Sequence, residues 1–96
     1  MPLREELHRR REEVLELAAR HGVSNLRVFG SVVRGEDRPD SDIDLLADMA
    51  EDRGFADYLA LVEELETLLA RRIDLVLGRS LSPHFRPFIE AEARPL

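Results

Sequence analysis

Gly30 and Ser31 stand ten residues ahead of Asp42-Ile43-Asp44 in the run GSVVRGEDRPDSDIDLL, where the residue types and spacing suit phosphate and metal chemistry. An apolar strand-like run, Leu26 to Phe29, leads straight into the Gly-Ser pair. A glycine there lets the backbone approach a phosphate, while the Ser31 hydroxyl and nearby amides donate hydrogen bonds to it. Asp42 and Asp44 lie two apart in a second strand-like segment, Asp42 to Ala47. Side chains on a strand alternate faces, so both carboxylates point one way while Ile43 and Leu45 point into the core. Aspartate is depleted in strands, and two in alternation repel each other unless a cation lies between them. Mg²⁺ fits best, because it takes hard oxygen ligands from one or two carboxylates and completes its shell with water and substrate phosphates. Arg34 either binds phosphate or pairs with Glu36 or Asp42.

These residues resemble the signature of the polymerase-beta-like nucleotidyltransferases: Gly-Ser, ten residues, then Asp-x-Asp. The fuller run, with Arg34-Gly35-Glu36 and Ser41, is similar to the minimal nucleotidyltransferases of that superfamily. The resemblance implies a third carboxylate on a later strand, and Asp74 in RRIDLVLG fits that place. Read without the resemblance, Asp74 is equally an exposed strand residue flanked by Arg71 and Arg72. The resemblance further implies two Mg²⁺ ions held by Asp42, Asp44 and Asp74, with the triphosphate of an NTP, expected to be ATP, lying along Gly30, Ser31 and Arg34. Asp42 and Asp44 would bridge the metals, and Asp74 would complete one and orient or deprotonate the nucleophile. The implied reaction moves NMP to an acceptor hydroxyl and releases pyrophosphate.

The elements that must position these groups alternate as α-β-α-β-α-β-α. This pattern predicts an α/β (α+β) nucleotidyltransferase fold with a small, mixed three-stranded sheet flanked by helices. Leu7, Val14, Leu17 and Ala18 fall near helical spacing in Leu3 to His21, and Gly22 is placed to cap that helix. Leu26 to Phe29 is the first strand, Ser31 to Arg34 a short turn or helix, and Glu36 to Ser41 a polar loop containing Pro39. After the strand Asp42 to Ala47 and a charged connector, Phe55 to Ala70 carries Leu59, Val62, Leu65 and Leu69 on one stripe, with Leu61 and Leu68 beside it. Ile73 to Leu77 is the third strand. Ser82-Pro83 opens a last helical stretch that Pro87 delays or kinks.

A length of 96 residues sets one domain, 1–96, with no room for a second domain to hold a large acceptor. There is no cysteine, no signal-like N-terminus and no apolar run near membrane-spanning length, so a soluble, cytoplasmic protein without disulfides or a membrane partner is expected. The net charge of −6 argues against direct nucleic-acid binding. All 14 basic residues are arginine, so any cationic grip on a triphosphate comes from arginine, backbone amides or metal. His8, His21 and His84 lack metal-ligand spacing and read as surface or capping groups. Minimal nucleotidyltransferases commonly serve as antitoxins that AMPylate a tyrosine of a helical HEPN ribonuclease toxin, so the resemblance implies such a partner. An acidic enzyme suits a ribonuclease that must be basic to hold RNA. The competing readings are a binding module that silences the toxin without turnover, and a small-molecule nucleotidyltransferase completed by a helical subunit. The sequence leaves the oligomeric state open, a homo-oligomer included.

Overall fold

A four-stranded sheet in the order β3-β2-β1-β4 organises the chain, built from β1 (Val23–Phe29), β2 (Ile43–Met49), β3 (Ile73–Leu77) and β4 (Arg94–Pro95). The computed structural model describes residues 3–38 and 40–96; Pro39, assigned by the sequence to the polar loop, lies outside the described residues. β1 runs antiparallel to both β2 and β4, whereas β2 and β3 are parallel and joined by the long helix α4 (Phe55–Leu69). A parallel pair needs such a crossover, which is why a fifteen-residue helix separates two strands that lie side by side.

Strand alternation divides the sheet into two chemically different faces. Ile43, Leu45, Ala47 and Met49 of β2 join Ile73 and Leu75 of β3 and Val23, Leu26 and Val28 of β1 in one buried cluster. The helices close that cluster with Leu3 and Leu7 from α1 (Leu3–Arg9), Val14 and Ala18 from α2 (Arg11–Arg20), and Leu61, Leu65 and Leu69 from α4. Fully burying each of these aliphatic side chains contributes roughly 1.5–3 kcal/mol, against about 0–1 kcal/mol for a typical exposed ion pair, so the apolar face holds the fold together. Asp44, Leu46 and Asp48 alternate onto the opposite face, where Leu46 is buried outside the main cluster.

Several boundaries differ from the sequence reading. The first helix is two, α1 and α2, joined at Arg10, whose backbone turns to φ −97, ψ 10. The hydrogen bonds Arg10 N–H to the Glu6 carbonyl and Val14 N–H to the Arg10 carbonyl persist, so the joint is a bend that keeps Leu7 and Val14 on one core. Gly22 follows the helix at φ +71, in the capping position assigned to it. β1 starts earlier, at Val23, with a register shift between Ser24 and Arg27 where Asn25 takes φ +54. β2 runs Ile43–Met49, so Asp42 precedes it rather than opening it. In α4 the deepest stripe is Leu61, Leu65 and Leu69, while Leu59 is 44% exposed; the apolar face is too wide for spacing alone to show which edge turns inward. Ile73–Leu77 matches the third strand residue for residue. After a 3-10 turn at Gly78–Ser80, the last helix, α5 (Arg86–Glu92), starts late with a proline in its first turn. β4 is additional, and it turns the expected three-stranded sheet into a four-stranded one.

Candidate functional site

Register brings the motif residues together. Phe29 of β1 pairs with Asp44 of β2, and Asp44 pairs with Asp74 of β3, so the Gly-Ser turn, the second aspartate and the third lie level across three strands. Gly30 follows Phe29 directly at φ +77, ψ −149, a conformation that side chains rarely tolerate. Nor is there room for one: a Cβ on Gly30 would run into Oδ2 of Asp44. Glycine is therefore required twice at this position, by backbone conformation and by the carboxylate packed against it.

Ser31 opens α3 (Ser31–Arg34), a single turn closed by N–H bonds of Val33 and Arg34 to the Gly30 carbonyl and followed by Gly35 at φ +72. The N-cap position is Gly30 and no side chain caps the turn, so Ser31 does not spend its hydroxyl as a helix cap. The loop beyond is drawn back to the sheet by Arg71, whose Nη1 donates to the carbonyls of Arg38 (2.9 Å) and Ser41 (3.1 Å). Ser41 Oγ accepts from Arg38 N–H at 2.7 Å, and Ile43 N–H donates to the Arg72 carbonyl at 2.9 Å. These bonds seat Asp42 at the entry to β2. Arg71 had no assigned role in the sequence, where it was only a flank of the third strand.

The electrostatics centre on Asp44. Its carboxyl is pushed up to about 6, first by burial, then by the charge and proximity of Asp74 and by the charge of Asp42, with Arg34 pulling the other way. Asp42 and Asp74 are exposed at the rim. Among the described residues, no group of three or more histidine, cysteine or acidic side chains is already arranged to hold a metal ion. The structure thus brings Gly30, Asp44 and Asp74 together and puts Asp42 and Arg34 within electrostatic reach of them, without closing the aspartates into a preformed cage.

Arg34 answers its open pairing with one expected partner and one unexpected one. Nε donates to Glu36 at 3.0 Å and Nη1 to Glu92 at 2.7 Å, and these carboxylates, Glu36 first, hold its guanidinium above its ordinary pKa. Glu92 Oε1 also accepts the Gly30 N–H at 2.6 Å. Nothing in the local sequence signalled Glu92, because 62 residues separate it from Gly30 and only the return of β4 onto β1 brings α5 to the turn. The histidines stay away from this site. His8 and His84 are exposed, and His21, the C-cap residue of α2, pairs with Asp57 and Glu64 of α4. A groove of about 540 Å³ lined by Phe55, Tyr58, Leu75, Leu77 and Arg79 has none of the motif residues in its walls. No helix among the described residues is long and apolar enough to cross a membrane.

Comparison with known proteins identifies the family and the fold. The nucleotidyltransferase domain model matches residues 8–96. The chain is 48% identical over 66 residues to the protein adenylyltransferase MntA of Thermococcus cleftensis, covering 69% of this chain and 67% of that protein. A protein adenylyltransferase homologue of Methanocaldococcus jannaschii is 31% identical over 83 residues, 86% of this chain and 89% of its own. A solved minimal nucleotidyltransferase superposes with a TM-score of 0.89 at 51% identity, covering 100% of this chain and 97% of that one. A toxin-antitoxin complex solved with AMP-PNP shares the fold at a TM-score of 0.73 and 22% identity, over 86% of this chain and 68% of that chain. With the Gly-Ser turn set against an aspartate pair on a mixed sheet, and with these relatives, the chain belongs to the nucleotidyltransferase domain family and is a minimal nucleotidyltransferase enzyme.

Proposed function

We propose that this enzyme transfers AMP from ATP to a hydroxyl of a protein partner, a tyrosine of a HEPN ribonuclease toxin, and thereby silences it. The observation that carries the reading is the packing of Gly30 on the carboxylate of Asp44, which is itself level with Asp74. Phosphate donors and metal-binding oxygens then adjoin, as NMP transfer requires. A divalent cation fits the donor set: burial and like charge raise the cost of ionising Asp44, and a hard cation relieves both. Asp42, Asp44 and Asp74 would hold Mg²⁺, which when bound supplies charge stabilisation for the transferring phosphoryl group and the pyrophosphate. Gly30, Ser31 and Arg34 would hold the terminal phosphates through a backbone amide, a hydroxyl and a guanidinium. Asp74, exposed at the rim as Asp42 is, would orient an incoming hydroxyl and take its proton.

The protein acceptor is supported by relatives named as protein adenylyltransferases and by structural neighbours that are toxin-antitoxin complexes. A phenol is a suitable nucleophile, since its pKa of about 10 lies well below that of an aliphatic alcohol. One observation favours a second reading, a module that silences the toxin by binding alone: no three acidic groups among the described residues are yet arranged for a metal. The raised carboxyl of Asp44 weighs against it, because binding alone gives no reason to pack like charges together.

The test is to incubate the protein with a cognate HEPN ribonuclease, ATP and Mg²⁺ and to weigh the partner by intact mass spectrometry. The partner should gain the mass of one or more AMP groups on tyrosine and lose ribonuclease activity, and Asp74→Ala should abolish the gain. Silencing without an adduct would select the binding module. An adduct on RNA or a small molecule would overturn the protein acceptor.

A further inference from the structure

Glu92 ends α5 with one carboxylate oxygen engaged twice, accepting from Gly30 N–H at 2.6 Å and from Arg34 Nη1 at 2.7 Å. These are two of the donors assigned above to the terminal phosphates. We infer that Glu92 is a tethered stand-in for phosphate, which fills the anion position of the Gly-Ser turn when no nucleotide is bound and must be expelled for a triphosphate to enter. The inference rests on the turn being the phosphate site.

Three physical points support it. Gly30 is buried, so its N–H is costly to leave without a partner, and the Glu92 carboxylate satisfies it. A carboxylate oxygen and a phosphate oxygen accept the same short, charge-assisted bonds from an amide and a guanidinium, but one N–H cannot serve both, and two anions at one spot repel. The segment that carries Glu92 is also lightly held. None of the seven residues of α5 is buried, and Phe88, on the same helical stripe as Glu92 one turn earlier, is 72% exposed. The segment is attached on one side by an Arg86 bond to the Gly78 carbonyl, and on the other by the buried Ala93, the two-residue β4 and Leu96, which packs on the edge of the core. Expelling Glu92 therefore need not disturb the main core. Apparent affinity for a triphosphate is reduced by the fraction of molecules in which Glu92 is seated.

Titration of the full chain with magnesium tripolyphosphate by calorimetry, with the Gly30 and Ser31 amides followed by NMR, tests this on wild type, Glu92→Gln and Glu92→Ala. The dissociation constant should fall in Glu92→Ala, by about tenfold if the carboxylate is seated nine-tenths of the time, and by less in Glu92→Gln. The Gly30 amide signal of the ligand-free variants should already differ from wild type, and the probe should move it in all three proteins. Unchanged or weaker binding with moving amides would overturn the stand-in and leave Glu92 as a positioning residue for Arg34. Amides that ignore the probe in all three proteins would overturn the phosphate-turn reading itself, and the stand-in with it. Glu92→Gln keeps the side-chain shape and decides the matter should Glu92→Ala fold poorly.

Discussion

Asp44 is half-buried and level with Asp74, and its carboxyl is raised from 3.8 to about 6 by burial first and by its acidic neighbours second. In the metal-free protein the folded state therefore holds this proton more tightly than the unfolded chain does. Stability from this group is fully present below pH 3.8 and is lost as pH rises through about 6. Asp44→Asn should remove that loss. In chelator, the variant should unfold at higher denaturant than wild type at pH 7, by about 1 kcal/mol once the solvent reaching the site is discounted, with the difference shrinking toward pH 4. Transfer should be abolished in the same variant, because a proposed metal ligand is gone. Chemical denaturation at the two pH values, paired with the AMP-transfer assay, checks both halves. A destabilised variant at pH 7, or one that keeps full activity, would refute the assignment.

At the scale of elements, α2 and α4 meet through His21, whose Nδ1 lies 3.2 Å from Asp57 and whose Nε2 lies 2.9 Å from Glu64. Asp57 sits in the first turn of α4 and also takes Arg53, so one acidic side chain ties three segments. The imidazole is raised above 6.5, chiefly by its hydrogen bond to Asp57, with Glu64 adding and burial subtracting. Asp57 is lowered below 3.8, first by its hydrogen bond to His21 and further by Arg53, with burial opposing them. Both signs define one window. The raised histidine contributes stability below pH 6.5 and loses it as pH climbs through its folded pKa; the lowered aspartate contributes above pH 3.8 and loses it as pH falls. His21→Ala should therefore lower the melting temperature most between about pH 4 and pH 6.5 and least near pH 9. Thermal melts of both proteins across that range test it, and a penalty that grows toward pH 9 would refute the ion pair.

At the scale of the whole molecule, the chain carries a net charge of −6, and it has 14 arginines and no lysine. The proposed ribonuclease partner needs a basic surface to hold RNA, so encounter with it should be steered by long-range attraction. Raising salt from about 10 mM to about 1 M shortens the screening length from roughly 30 to roughly 3 Å, and the association rate should fall by about tenfold or more. Stopped-flow mixing measures this directly. A rate insensitive to salt would mean that shape and apolar contact alone find the partner. The exposed Phe55, Phe85 and Phe88 would then be the first side chains to truncate.

Sequence alone singled out the candidate residues: Gly30-Ser31 reads locally as a positive-φ glycine before a one-turn helix, and Asp42-x-Asp44 reads by its spacing, although Asp44 lies in β2 and Asp42 just before it. Alternation also specified which face Ile43 and Leu45 bury, and turn chemistry placed Gly22 at the end of the first helical region. Asp74 was legible only through resemblance, since nothing near it in the chain indicates that β3 aligns parallel with β2 at Asp44. Tertiary structure decided what depends on distant segments. The bend at Arg10, the buried edge of α4 and the two-residue β4 follow from how the helices and sheet pack, which periodicity does not encode. So does Glu92, whose carboxylate reaches the Gly30 amide because β4 returns along β1. A contact between residues so far apart in the chain leaves no mark in either local sequence.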